Sequence, residues 1–314
     1  MNNRRKFLQT SSLVTTGILL GKPLKTFAGI TRTAGTLPNS ISVLYTADLH
    51  GRIGSFSTGN LNNIGGLNNI YSTIRKNGIS QLLLDGGDFL DKGDVEDHSR
   101  MIAMMNKTGY QAATPGDKEF CNGQDYLARL LPLMNFKLVN CNYEFSNPVL
   151  KTNILKFHII QHNRYKVGIT GVGPRVRGAF AAGIEWHHPY TVATEVATLL
   201  KKKLNCDIVI CLSHLGLEEE IEGPGNRKFA ASSKNIDVII GGHNNTIAQP
   251  QIVLRNSEKN QVIIANAAHG GSIIGSLNFG FNEQRQMHLF TCKNFIPGAM
   301  EQSSFYAGYQ DLVA

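Results

Sequence analysis

Five side chains able to bind a divalent cation stand at the ends of predicted strands. Asp48 and His50 lie in Asp48-Leu49-His50-Gly51, Asp88 follows Gly86-Gly87, His214 follows Ser213, and His243 follows Gly241-Gly242. Each sits where an apolar run gives way to a loop. α/β sheets gather ligands there, because such loops carry reactive groups on a rigid base. One residue separates Asp48 from His50, so both can face one ion from a turn. Carboxylate oxygen mixed with imidazole nitrogen suits Zn, Mn or Fe better than Ca or Mg, and an Asp can bridge two ions. A lone Asp at a strand end is more often a turn former or cap. The same placement at four strand ends argues for a metal site, and so for a hydrolase.

The elements that must position these groups are legible as apolar runs. Strands are predicted over 42–46, 81–85, 137–140, 166–171, 207–212 and 237–241, with helical patterns over 67–76, 97–108, 124–133 and 192–204. Strand and helix in alternation make an α/β fold with a largely parallel sheet. After Thr246 only strands are predicted, over 251–254, 261–265, 272–281 and 286–291, and a second sheet packed on the first accounts for them.

The first 28 residues read as an export address. Asn3-Arg4-Arg5-Lys6-Phe7-Leu8 is a twin-arginine pattern, a short apolar run spans Leu13 to Leu20, and Thr26-Phe27-Ala28 offers a cleavage site. The run is shorter than the roughly 20 apolar residues a membrane span needs. The expected organisation is a signal peptide over 1–28, a linker over 29–40, a catalytic-type domain over 41–296 and a tail over 297–314. The expected destination is the bacterial periplasm.

Lys and Arg outnumber Asp and Glu by 31 to 23, giving +8, but Arg4, Arg5, Lys6, Lys22 and Lys25 belong to the address. The remainder carries +3, which makes no case for a nucleic-acid partner. Lys201-Lys202-Lys203 reads as the solvated end of a helix. The five cysteines form no C-x-x-C pair, and a domain this large needs no disulfide framework. Gly171-Val172-Gly173-Pro174 lacks a dinucleotide fingerprint, and no G-x-S-x-G occurs. Trp186 reads as a packed loop residue and His187 and His188 as surface residues. His158, His162 and His269 receive no role.

With these motifs in hand, the sequence resembles the calcineurin-like metallophosphoesterases, specifically the 5′-nucleotidase type of catalytic domain. The likeness runs over 41–281 and rests on Tyr45-Thr46-Ala47-Asp48-Leu49-His50-Gly51-Arg52, Gly65-Gly66-Leu67, Leu83-Leu84-Asp85-Gly86-Gly87-Asp88, Ser213-His214-Leu215-Gly216 and Asp237-Val238-Ile239-Ile240-Gly241-Gly242-His243. It implies a four-layer α-β-β-α sandwich, two mixed sheets flanked by helices, and a site for two divalent ions. Asp48 and His50 would bind one ion, His214 and His243 the other, and Asp88 would bridge them. The family's loop near His269 passes close to this site.

The chain departs from the family inside that site. Gly116-Asp117-Lys118-Glu119-Phe120-Cys121 stands where the family has Gly-Asn-His-Glu-Phe-Asp, and Gly242-His243-Asn244-Asn245 where it has Gly-His-x-His. Asp117 keeps an oxygen ligand, Lys118 replaces the catalytic histidine, Cys121 removes that histidine's orienting acid, and Asn245 offers an amide in place of a ligand. Two readings follow. One is an exported phosphohydrolase of nucleotide-like phosphoesters with Lys118 as its cation. The other is an impaired metal-binding module, holding one ion, that partners a separate chain carrying a nucleotidase C-terminal domain.

Overall fold

The computed structural model describes residues 39–58, 61–77, 82–219, 223–243 and 251–298. The twin-arginine segment, the linker up to residue 38, the tail from 299 and Asn245 lie outside the described residues.

Among the described residues the strands are β1 Ser40–Thr46, β2 Phe56–Thr58, β3 Leu61–Ile64, β4 Leu82–Asp85, β5 Ala112–Ala113, β6 Lys137–Leu138, β7 Tyr143–Phe145 and β8 Phe157–His162, then β9 Tyr165–Val172, β10 Ile184–Trp186, β11 Ile208–Ser213, β12 Val238–Gly241, β13 Ile252–Arg255, β14 Gln261–Asn266, β15 Ile274–Phe281 and β16 Met287–Phe295. The helices are α1 Gly66–Asn77, α2 Val95–Thr108, α3 Gln124–Leu130, α4 Pro148–Asn153, α5 Pro189–Thr198 and α6 Asn226–Ser232. One sheet runs β16-β15-β1-β4-β5-β6, the other β13-β14-β12-β11-β9-β8, and β2-β3 and β7-β10 form two small ribbons.

Alternation along the strands builds the layers. Ile41, Val43 and Tyr45 of β1, Leu82 and Leu84 of β4, Ile208, Ile210 and Leu212 of β11, and Val238 and Ile240 of β12 share one buried cluster between the sheets. Their neighbours point the other way: Leu44 and Leu83 pack with Met101, Ile102 and Met105 of α2. Val209, Cys211 and Ile239 pack with Ala193, Val196 and Ala197 of α5 and Phe229 of α6. A strand buried on both faces needs apolar residues at successive positions, which is why these runs are continuous rather than alternating. The result is the expected four-layer α-β-β-α sandwich of two mixed sheets.

The late strands do not form a sheet of their own, as the sequence had suggested. β13 and β14 extend the β12-β11-β9 sheet, whereas β15 returns to pair antiparallel with β1, setting Leu277 opposite Val43 and Phe279 opposite Ile41. Matching apolar faces in the inter-sheet core, not chain order, decides the partner. The predicted strand over 137–140 shortens to β6, and β8 is an unpredicted edge strand whose residues are mostly half-buried. Trp186 sits on β10 rather than in a loop, its indole N–H donating to the Gly173 carbonyl at 3.2 Å. The helix predicted over 192–204 is α5 followed by a wider π turn, Leu199–Lys203. There Lys201 pairs with Asp237 at 2.7 Å, whereas Lys202 and Lys203 are exposed at the end of the helical segment as expected.

Ile210 is fully buried between the sheets. Ile210→Ala is expected to cost about 2–5 kcal/mol, the range for a buried aliphatic truncation that leaves a cavity; denaturant titration measures it.

Candidate metal centre

Parallel pairing brings the candidate ligands to one edge. β1 and β4 run parallel with Thr46 opposite Asp85, and β11 and β12 run parallel with Ser213 opposite Gly241. The loops leaving β1 and β4 are laced together: the amides of Asp48, His50 and Gly51 donate to the carbonyls of Gly87, Asp88 and Phe89 at 2.8, 2.8 and 2.9 Å. Asp48, His50, Asp88 and His243 all adopt left-handed backbone conformations, with φ of 54°, 48°, 56° and 78°. Each such residue costs on the order of 1–3 kcal/mol, and strain of this kind collects where function demands a set geometry.

The side chains converge in two sets that share Asp88. In each set the donor atoms lie within 4.8 Å of one another: Asp48, His50 and Asp88 in one, Asp88, Asp117, His214 and His243 in the other. His214 Nε2 lies 3.1 Å from Asp88 Oδ2 and 3.7 Å from Asp48 Oδ1. Both oxygens of Asp48 accept from the His243 amide, at 3.0 and 2.9 Å. Glycines make room for this crowding. A Cβ on Gly116 would meet the His214 ring at 2.7 Å, and one on Gly87 would meet its Nδ1 at 2.8 Å.

The atoms present fit a divalent ion. His214 Nδ1 donates to the Gly86 carbonyl at 2.9 Å, so Nε2, which faces the carboxylates, is the nitrogen that holds the exchangeable proton or, once that proton leaves, offers its lone pair to an ion. Asp117 Oδ1 is buried without a hydrogen-bond partner, and Nε2 has only its ionic contact with Asp88 Oδ2. Unpartnered buried polar atoms are costly, and a cation between them satisfies both. Nitrogen with carboxylate oxygen is a donor set for Zn, Mn or Fe.

The electrostatics call for the same positive charge. Burial opposes a charged imidazole, yet Asp88 and Asp48 outweigh it and push His214 up to about 10. Burial would also raise Asp88, but His214 and Lys118 hold it well below the usual carboxylate range. Burial lifts Asp85 to about 7 and Glu119 to about 8.

The substituted segment closes the site. Burial disfavours the Lys118 ammonium, but Asp117 more than compensates and its pKa is raised; Nζ lies 2.8 Å from Asp117 Oδ2. The Lys118 amide donates to Asp88 Oδ1 at 2.9 Å. Cys121 Sγ lies 3.9 Å from the Asp117 carbonyl, and burial pushes its thiol pKa up.

Some residues of the site were not legible as such in the sequence. Glu119 accepts from the amides of Asp88, Leu90 and Gly116 at 3.1, 2.8 and 2.7 Å, tying the bridging ligand to the Asp117 loop. His269, given no role beforehand, stands with its ring 4.8 Å from that of His50. His98 lines a cleft of about 470 Å³ beside His50, Asp91 and Lys92. His158 and His162 lie on the far edge strand β8, and His187 forms a separate exposed group with Glu144 and Glu185.

Below pH 10 the metal-free His214 carries a proton that an ion must displace. Apparent Zn²⁺ affinity is therefore expected to fall about tenfold for each pH unit lost between 9 and 6. Calorimetry in buffers of different ionisation enthalpy should detect about one proton released per ion bound there; pH-independent affinity would contradict this.

Comparison with known proteins agrees with the geometry. A calcineurin-like phosphoesterase family model matches residues 41–245. The 5′-nucleotidase of Vibrio cholerae is 25% identical over 272 residues, covering 77% of this chain and 49% of the relative. The chain spans about half the length of such curated relatives. Among solved structures, the Thermus thermophilus 5′-nucleotidase precursor superposes with a TM-score of 0.71 at 22% identity, covering 82% of this chain and 54% of that one. The Haemophilus influenzae NAD nucleotidase gives 0.69 at 19% identity, with 86% and 54% covered. These likenesses establish the shared fold.

Proposed function

Because this chain belongs to the calcineurin-like phosphoesterase family, we propose that it is an exported phosphohydrolase acting on nucleotide-like phosphoesters. The observation that carries this reading is the pair of ligand sets meeting at Asp88. Asp48, His50 and Asp88 would hold one divalent ion; Asp88, Asp117, His214 and His243 would hold the other, with Asn245 a candidate from outside the described residues. When bound, such ions acidify water toward a pKa of about 7 and neutralise charge on phosphoryl oxygens.

The chain's own residues do the rest. Glu119 and the laced loops keep Asp88 and Asp117 in register, so no reorganisation is needed during reaction. Lys118 supplies a positive charge at the rim, held by Asp117, to attract the anionic substrate and oppose charge on the departing oxygen. The cleft beside His50 gives space for the departing group. Among the described residues no helix is long and apolar enough to cross a membrane; twin-arginine export to the periplasm remains a proposal resting on Arg4 and Arg5.

The second reading, an impaired metal-binding module that partners a separate nucleotidase chain, is favoured by Lys118, Cys121 and Asn245 together. A panel of phosphomonoesters, phosphodiesters and nucleotides, assayed with metal-loaded protein, separates the two. Turnover that Asp88→Ala lowers by at least about 10²-fold is expected. The combined Lys118→His, Cys121→Asp, Asn245→His variant should gain about 10²–10⁴-fold, the usual value of an oriented acid. Absence of turnover with several divalent metals would favour the module, and co-purification from the native host would then identify its partner.

A further inference from the structure

We infer that Asp85 is a positioning residue that sets the hold on both ions at once, without being a ligand of either. The inference rests on the metal-centre reading and adds a residue outside both ligand sets. Asp85 ends β4 and is fully buried. Its Oδ1 accepts from the Gly87 amide at 2.9 Å, and its Oδ2 accepts from the Thr46 hydroxyl at 2.6 Å. Thr46 Oγ1 lies 2.8 Å from the buried Tyr110 hydroxyl. A chain of polar contacts from Tyr110 through Thr46 thus fixes the Asp85 carboxylate against the turn that leaves β4.

That turn, Gly86-Gly87, is the point where the two ligand sets are tied together. The planar peptide unit joining the two glycines donates its N–H to Asp85 and offers its C=O to His214 Nδ1 at 2.9 Å, so fixing one end orients the other. The next carbonyl, that of Gly87, accepts from the Asp48 amide at 2.8 Å. His214 belongs to one ligand set and Asp48 to the other, while Asp88, which follows the turn directly, belongs to both. The glycines cannot be stiffened by side chains. A Cβ on Gly87 would meet His214 Nδ1 at 2.8 Å, and one on Gly86 would meet the Ala47 Cβ at 3.0 Å. Gly87 also takes a φ of 102°. A glycine pair is loose unless its groups are held, and a side chain, Asp85, holds this one. Removing that acceptor strands a buried amide and releases the peptide behind His214; contacts behind a ligand of this kind tune ion affinity.

Titration of the metal-stripped chain with Co²⁺, followed by visible absorption and bound-metal analysis, tests this. Asp85→Ala removes the acceptor, and Thr46→Val, which slackens the carboxylate without deleting it, serves if the first variant folds poorly. Wild type should bind two Co²⁺; the variant should bind both about 10–100-fold more weakly, with a changed absorption band. Asp85→Asn keeps an oxygen for the Gly87 amide and should return affinity and spectrum close to wild type. Three results would overturn the role of Asp85 while leaving the metal centre intact: wild-type affinity and spectrum in folded Asp85→Ala, weakening confined to one ion, or Asp85→Asn as weak as Asp85→Ala. Failure of wild type to bind Co²⁺ would overturn the metal-centre reading and this inference together.

Discussion

Crowding of carboxylates around Asp88 is the constraint on which this molecule is organised. Asp48, Asp85, Asp88 and Glu119 are all buried at one sheet edge, and Asp117 is half-buried beside them. Carboxylates ionised so close together out of water repel strongly unless a cation stands among them, and burial already drives Asp85 and Glu119 toward the neutral form. His214 meets part of that demand by taking a proton, and Lys118 meets another part from the rim. Two divalent ions would meet it fully, and would do so with atoms that now lack partners.

The sandwich exists to hold that crowd still. Two sheets packed through a continuous apolar layer give strand ends that cannot drift relative to one another, since interior packing is nearly as dense as a crystal. The left-handed backbone at four candidate ligands is sustained by amides laced across neighbouring loops. Glu119 converts its burial into order, because its carboxylate collects three amides from two loops. Folding energy won in the core is thereby spent on strain at the edge.

Much of this was legible in the residues. Asp48, His50, Asp88, His214 and His243 announce themselves because each follows an apolar run, and strand ends in a parallel sheet share an edge. Other features carry no such mark. Glu119 binds only backbone amides, which sequence does not display. His269 reaches the site through pairing of β14 with β12, a neighbour relation that no local pattern encodes. Edge strand β8 carries no clear apolar alternation, because His158 and His162 lie on one face and the exposed Gln161 on the other. The division of the late strands between the two sheets is not legible locally, because β15 is recruited by β1 across more than two hundred residues.

The most direct test is anomalous diffraction from crystals of the chain grown with Zn²⁺ or Mn²⁺. The account expects two peaks, with the Asp88 carboxylate touching both, Asp48 and His50 on one, and Asp117, His214 and His243 on the other. No peak beside Asp88, or ligand side chains turned toward unrelated regions, would contradict it.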